Sequence, residues 1–322
     1  MNKISLITPP EWVRTSRSYD PNETKVSDWL SHWDGEEPIE MGFIGVPLSK
    51  TSISHSGASM TPNALRELFT AVTTYNIDYD VDLSGFKVRD LGDIQMHMTD
   101  LKKCHDNIEA GLNQIYEKLP HLFPLIAGGD HSITCPSVKA FQKKIGGKVG
   151  MVQIDSHMDV RSLDYGGPTN GTPIRGLLES NTVEGKHIVQ VGLHSFANSK
   201  LYREYAVSHG ITQFTARQVA REGIDLIMDQ AIEIAGNGTD AIYVTVDMDV
   251  LDQSYAPGVP AMVPAGMTSW QLLDAVYRLG KNRKVKGFDI VCIDPMQDQR
   301  KATVRTAVHV LLTFLVGLVS RS

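Results

Sequence analysis

Short apolar runs recur along the chain, each closing on a polar or glycine-containing turn: "MGFIGVPL", "LFPLIAGGD", "GKVGMVQID", "HIVQVGL", "DAIYVTVD" and "VKGFDIVCID". Runs this short and this apolar predict strands buried on both faces. "VRDLGDI" predicts a further strand end. Between the runs, apolar positions fall at helical spacing. In "TDLKKCHDNIEAGLNQIYEKL" the stripe is Leu101, Ile108, Leu112, Ile115 and Leu119. "TPNALRELFTAV" predicts a helix with Thr61 as its N-cap and Pro62 at its first position. "SITCPSVKAFQKK", "REGIDLIMDQAIEIAG" and "SWQLLDAVYRLG" predict more helices. Repeated strand–helix alternation predicts an α/β fold, a mostly parallel sheet covered by helices on both faces. Residues 1–40 are polar and predict an extension packed on the body. Beyond about residue 41 no linker or repeat interrupts the pattern, so one domain over 1–322 is expected.

Composition narrows the function. The 322 residues are 42% hydrophobic, ordinary for a globular protein. A formal charge of −6 gives no electrostatic footprint for nucleic acid or an anionic membrane. Cys104, Cys135 and Cys292 are far apart and odd in number. They predict free thiols in a reducing, cytoplasmic setting. The N-terminus has no apolar core of signal-peptide type. The C-terminal run "TAVHVLLTFLVGLV" is shorter than the ~20 residues that span a bilayer and predicts a buried or interface helix.

Three strand ends carry the chemistry. "LIAGGDHS" supplies His131, "VQIDSHMD" supplies Asp155, His157 and Asp159, and "YVTVDMD" supplies Asp247 and Asp249. Parallel α/β sheets bind ligands beyond the carboxyl ends of their strands. In extended backbone, residues at i, i+2 and i+4 face one side, so each group is expected to converge. Four Asp and two His carry a formal −4, which two divalent cations would balance. Carboxylates with imidazoles suit Mn²⁺; Fe, Co, Ni and Zn stay open on residue type. Two bridged cations would lower the pKa of a shared water and make it a nucleophile, a hydrolase design. A lone Asp at a strand end is ordinarily a cap or turn residue, and Asp93, Asp252 and Asp294 are read that way.

"GGDHS", "DSHMD" and "VDMDVLDQSYAPG", with "GFIGVPLSK", "TPNALR", "DLGDI" and "DPMQD", resemble the arginase/agmatinase ureohydrolase family over most of the chain. The resemblance implies a three-layer arginase-type sandwich, a binuclear manganese centre, a homo-oligomer and cleavage of a C–N bond in a guanidino or formimino compound. Carried over by position, it implies that His131, Asp155, Asp159 and Asp247 hold one cation, and Asp155, His157, Asp247 and Asp249 the other. Asp155 and Asp247 would bridge, and Asp159 would orient the bridging hydroxide.

Within the family, Arg161 after "DV" and Arg175 in "NGTPIR" look most like the formimidoylglutamase branch. An arginine can grip a carboxylate bidentately, and formimidoylglutamate has two carboxylates while agmatine has none. The implied reaction gives L-glutamate and formamide, with a small carboxylate-bearing molecule as partner. A structural salt bridge is the alternative for Arg161. Three positions depart from the wider family. Asn170 stands where arginases carry His. Cys292 stands where a Glu contacts the cationic end of the substrate; as a residue of this chain it also reads as a small buried apolar side chain. His194, in "VGLHS", replaces an Arg of most relatives, and its role is open. Asn170 and Cys292 join Arg161 and Arg175 as the substrate-side candidates. The alternatives are another ureohydrolase, such as an agmatinase or guanidino-acid hydrolase, or a catalytically silent metal-binding paralog.

Overall fold

The structure is a computed structural model that describes residues 4–10 and 20–321. Ten strands form one sheet: β1 (Ile7–Thr8), β2 (Ser31–His32), β3 (Met41–Val46), β4 (Val88–Ile94), β5 (Phe123–Gly128), β6 (Val149–Ile154), β7 (Ile188–Leu193), β8 (Thr212–Thr215), β9 (Ala241–Asp247) and β10 (Val285–Val291). Their spatial order is β1-β4-β3-β5-β10-β9-β6-β7-β8, with β2 also on β4. All pairings are parallel except β1 with β4. The polar segment before residue 41 therefore does more than lie on the body: its described parts supply β1 and β2 at the sheet edge. The part of that expected extension at residues 1–3 and 11–19 lies outside the described residues.

Alternation along the strands builds three layers. Phe43, Val152, Val244, Val246 and Phe288 face one core, closed by helices Thr61–Leu68, Ile224–Gly236, Ser269–Lys281 and Ala302–Val319. Ile44, Val46 and Ile126 face the other side, under helix Leu101–Lys118. On that same side Met151, Ile188 and Tyr243 pack under helices Thr134–Ile145 and Pro173–Glu179. Central strands covered on both faces have no wet side, which is why they read as continuous apolar runs.

The apolar C-terminal helix is long and apolar enough to cross a membrane by composition, yet most of it is buried against neighbouring helices. It approaches helix Ser269–Lys281 backbone to backbone: a Cβ on Gly317 would lie 2.3 Å from the Tyr277 carbonyl oxygen. Only glycine fits there.

Two helix readings change. Thr61 does not cap its helix but begins it, after a 3₁₀ turn at Ala58–Met60. Its hydroxyl instead donates to the Ile293 carbonyl at 2.8 Å, tying the helix to the end of β10. "REGIDLIMDQAIEIAG" is not one helix. It breaks at Gly223, whose φ of +91° suits a residue without Cβ, and a new helix starts at Ile224.

Candidate metal centre

β5, β6 and β9 end side by side with β10 at the carboxyl edge of the sheet, and the six sequence-predicted ligands meet there. The approach of β5 needs Gly129. A Cβ there would sit 1.6 Å from the Leu48 carbonyl oxygen, so the turn that presents His131 could not pack against the loop after β3.

The convergence does not come from extended backbone. β6 stops at Ile154; Asp155 Oδ1 then accepts the His157 N–H at 2.6 Å, turning the chain. Asp159 adopts φ +53°, and its carbonyl accepts the N–H groups of Ile174 and Arg175 at the start of helix Pro173–Glu179. Asp249 sits in a 3₁₀ turn, Met248–Val250, and its N–H donates to the Asp247 carboxylate at 2.9 Å. Tight turns closed by the ligands themselves gather the site.

His131 Nδ1 is fully buried and lies 2.8 Å from Asp159 Oδ2, 3.1 Å from Asp155 Oδ2 and 3.2 Å from Asp247 Oδ2. Despite these distances it makes no hydrogen bond of good geometry, and neither does Asp159 Oδ2. Donor atoms crowded round a point without bonding one another are what a cation cage looks like. Beside it, His157 Nδ1 lies 3.1 Å from Asp249 Oδ2 and 3.5 Å from Asp155 Oδ1. Asp155 thus turns one oxygen to each group. In each of the sets His131–Asp155–Asp159 and Asp155–His157–Asp249, no two ligand atoms are more than 4.8 Å apart. The donor chemistry fits two hard or borderline divalent cations sharing Asp155.

Sequence reasoning missed the supporting residues. One polar side chain on each of five adjacent strands sits in register: Asp289, Thr245, Gln153, Gln190 and Gln213. Thr245 Oγ1 donates to Asp289 and receives His131 Nε2–H at 3.0 Å, which leaves Nδ1 as the ligand atom. Gln213 donates to Gln190, Gln190 to Gln153, and Gln153 to Asp155 Oδ2 at 2.6 Å. The signal was available: each is a polar residue inside an apolar strand. Asn198 was missed too; it accepts from Met158 N–H and donates to the Ser156 carbonyl, clamping the loop that carries His157.

Above the cluster opens a cavity of about 290 Å³, lined in part by His157, Asp159, Arg161, Asn170, Asn198 and Tyr202. Arg161 is exposed on its wall and makes no ion pair among the described residues, which removes the structural salt bridge. Its stem lies over Gly171, where a Cβ would come 2.6 Å from Arg161 Cδ. Asn170 also lines the cavity, and its Oδ1 accepts the Ile53 N–H. Arg175 is not brought to the cavity: its guanidinium pairs with Glu179 one helical turn on, at 2.6 Å, and stacks over Tyr205. Cys292 is not on the cavity wall either. It is buried beside Asp247, below the wall. His194 is buried, with Nδ1 on the Gly192 carbonyl and Nε2 without a partner. Asp252 and Asp294 accept turn N–H groups, as a cap or turn role predicts, whereas Asp93 instead pairs with Arg66 in a buried ion pair.

The metal-free charges are strained. Burial and the Asp249 and Asp155 charges push Asp247 up to about 8. Burial and Asp155 push Asp159 up to about 6. Against burial, which opposes the charged form, Asp249 and Asp155 hold His157 up to about 12. Asp155 moves the other way, its burial outweighed by the imidazoles of His131 and His157 close to it, but it titrates below the pH range at issue. Raised pKa values mean that the native state binds more protons than the unfolded chain from about pH 4 upward, so stability falls as pH rises. The melting temperature of chelator-treated protein should therefore drop between about pH 5 and pH 8, and Mn²⁺ should flatten that slope. A metal-free melting temperature that rises over this range would contradict the arrangement.

Residues 39–317 match the model of the Arginase family. The chain is 46% identical to a formimidoylglutamase of Halalkalibacterium halodurans over 298 residues, covering 92% of this chain and 93% of that protein. The crystal structure of formimidoylglutamase from Bacillus subtilis superimposes with a TM-score of 0.91 at 39% identity, covering 96% of each chain. A Trypanosoma cruzi formiminoglutamase with Mn²⁺ shares the fold, with a TM-score of 0.85 at 24% identity over 93% of this chain and all of the other. A mostly parallel sheet between two helical layers, with the His–Asp cluster at its carboxyl edge, thus occurs in a chain matched almost throughout: the protein belongs to the Arginase family.

Proposed function

We propose that the protein hydrolyses the formimino C–N bond of N-formimido-L-glutamate, giving L-glutamate and formamide. The observation that carries the reading is an arginine with no ion pair among the described residues, Arg161, on the wall of a cavity whose floor is a His–Asp cluster able to hold cations. His131, Asp155, Asp159 and Asp247 would hold one cation and Asp155, His157, Asp247 and Asp249 the other, most simply Mn²⁺, which the trypanosomal relative carries. Bound there, the cations would supply a water of near-neutral pKa and positive charge opposite the reacting carbon.

The chain's own residues do the rest. Arg161 grips a substrate carboxylate through a bidentate pair and sets the formimino carbon over the cluster. Asn170 fixes the loop that carries Ile53 at the cavity rim. The Asp159 carboxylate, through the oxygen not turned to His131, takes the proton of the attacking water and returns it to the leaving nitrogen. Water adds to the formimino carbon, the bond to the glutamate nitrogen breaks, and that nitrogen leaves as the amine. The reading includes a cytoplasmic homo-oligomer, supported by three free cysteines and by exposed apolar side chains such as Phe196 and Leu201.

The test is a substrate panel. With Mn²⁺ the purified protein should turn over formimidoylglutamate and leave agmatine and arginine untouched. Turnover of agmatine alone would replace this reading with an agmatinase, and metal binding without turnover of any of them would make the protein a silent paralog.

A further inference from the structure

Cys292 is a buried nucleophilic group that the proposed reaction does not use. It follows β10 directly and is 4% exposed. Its backbone is left-handed, with φ +61°, a conformation that costs a non-glycine residue energy. The Cys292 N–H donates to the Gly129 carbonyl at 2.9 Å, fixing this backbone to the turn that presents His131. Cys292 Sγ, a ring nitrogen of His131 and an Asp247 carboxylate oxygen all lie within 4.8 Å of one another. A filler of the core would be served by any small apolar side chain. What sets this position apart is sulfur beside a buried carboxylate and beside His131, whose Nδ1 is buried and without a hydrogen bond.

We propose that His131, Asp247 and Cys292 form a nitrogen–oxygen–sulfur site for a thiophilic cation, Cd²⁺ or Zn²⁺, overlapping the manganese centre. Oxygen and imidazole ligands alone suit Mn²⁺, whereas an added thiolate favours softer ions. When such an ion binds, the S–H bond breaks, a sulfur–metal bond forms, and the thiol proton leaves to solvent together with the protons that Asp247 and His131 hold in the metal-free protein. No oxidant or reductant is needed. The centre is then selectively open to poisoning by soft cations, which displace manganese from the His131 side. The inference rests on the cluster being a metal site, as proposed above, but not on the identity of the substrate.

The experiment titrates metal-free full-length protein with Cd²⁺ alone and follows the ultraviolet thiolate-to-cadmium charge-transfer band. The band should saturate with the first ion bound in the native protein and in the double variant Cys104→Ser/Cys135→Ser. It should vanish in Cys292→Ser. Preference for Cd²⁺ over Mn²⁺, measured by competition, should fall about tenfold or more in that variant. Cys292→Gly is the second variant: it removes the sulfur at a position whose φ favours glycine, so its fold is safeguarded. Cd²⁺ bound without a band, or an undiminished band in both Cys292 variants, overturns the proposal alone. Failure of the native protein to bind either Mn²⁺ or Cd²⁺ overturns the metal reading with it.

Discussion

Asp155→Ala should abolish the binuclear centre. Asp155 is the residue whose two oxygens face the two ligand groups, Oδ2 toward His131 and Oδ1 toward His157. Removing it takes a ligand from both cations at once and deletes the turn bond to the His157 N–H. Bound Mn²⁺ should fall from two ions to fewer than one. Turnover of formimidoylglutamate should fall roughly 10³-fold or more, beyond the loss of a single transition-state contact. The fold should survive, with a lower metal-free melting temperature, because the Asp155 carboxylate is held ionised by His131 and His157 and accepts the Gln153 side-chain and His157 backbone N–H groups, which its removal leaves unpaired. Measured by metal analysis, initial rates and thermal melts together, the pattern is specific. Retention of two ions with a rate within tenfold of the native value would show that Asp155 is not shared.

Arg161→Ala should leave the metals in place and spoil recognition. Arg161 is exposed and makes no ion pair among the described residues, so its truncation leaves no buried charge unpaired and costs little stability. The loss falls on the substrate carboxylate. kcat/KM for formimidoylglutamate should decline roughly 10²-fold, mostly through KM, because a charged pair made in both ground and transition state is uniform binding. Arg161→Lys should recover only part of it, since a point charge cannot reproduce a forked contact. An unchanged KM in Arg161→Ala would move carboxylate recognition elsewhere on the wall, to side chains such as Asn170, Asn198 and Tyr202.

Several features were legible because they are local. Burial on both faces writes itself as apolar runs, and β3, β5, β6, β7, β9 and β10 were visible as such. The six candidate ligands stood at three strand ends, and the topology brings those ends together. Arg175 shows the limit of motif proximity: a side chain a few residues from the site along the chain turned to Glu179 and Tyr205, partners that no spacing rule names. The alternation Asp155, His157, Asp159 pointed to the right residues for an incomplete reason. Extended backbone would align them, but the chain is already turning at Asp155 and is left-handed at Asp159.

Residue types and their order along the chain were enough for the sheet, the helical layers and the stock of ligands, because burial periodicity and charge balance are properties of neighbours in sequence. The tertiary structure alone decided which atoms meet. It set Gln213, Gln190 and Gln153 in line behind Asp155, and Asp289 and Thr245 behind His131. It put Arg161 on the cavity wall and Cys292 against Asp247. These contacts join residues of different strands, fixed by sheet register and by turn geometry, and register depends on the packing of the whole sheet rather than on any one segment.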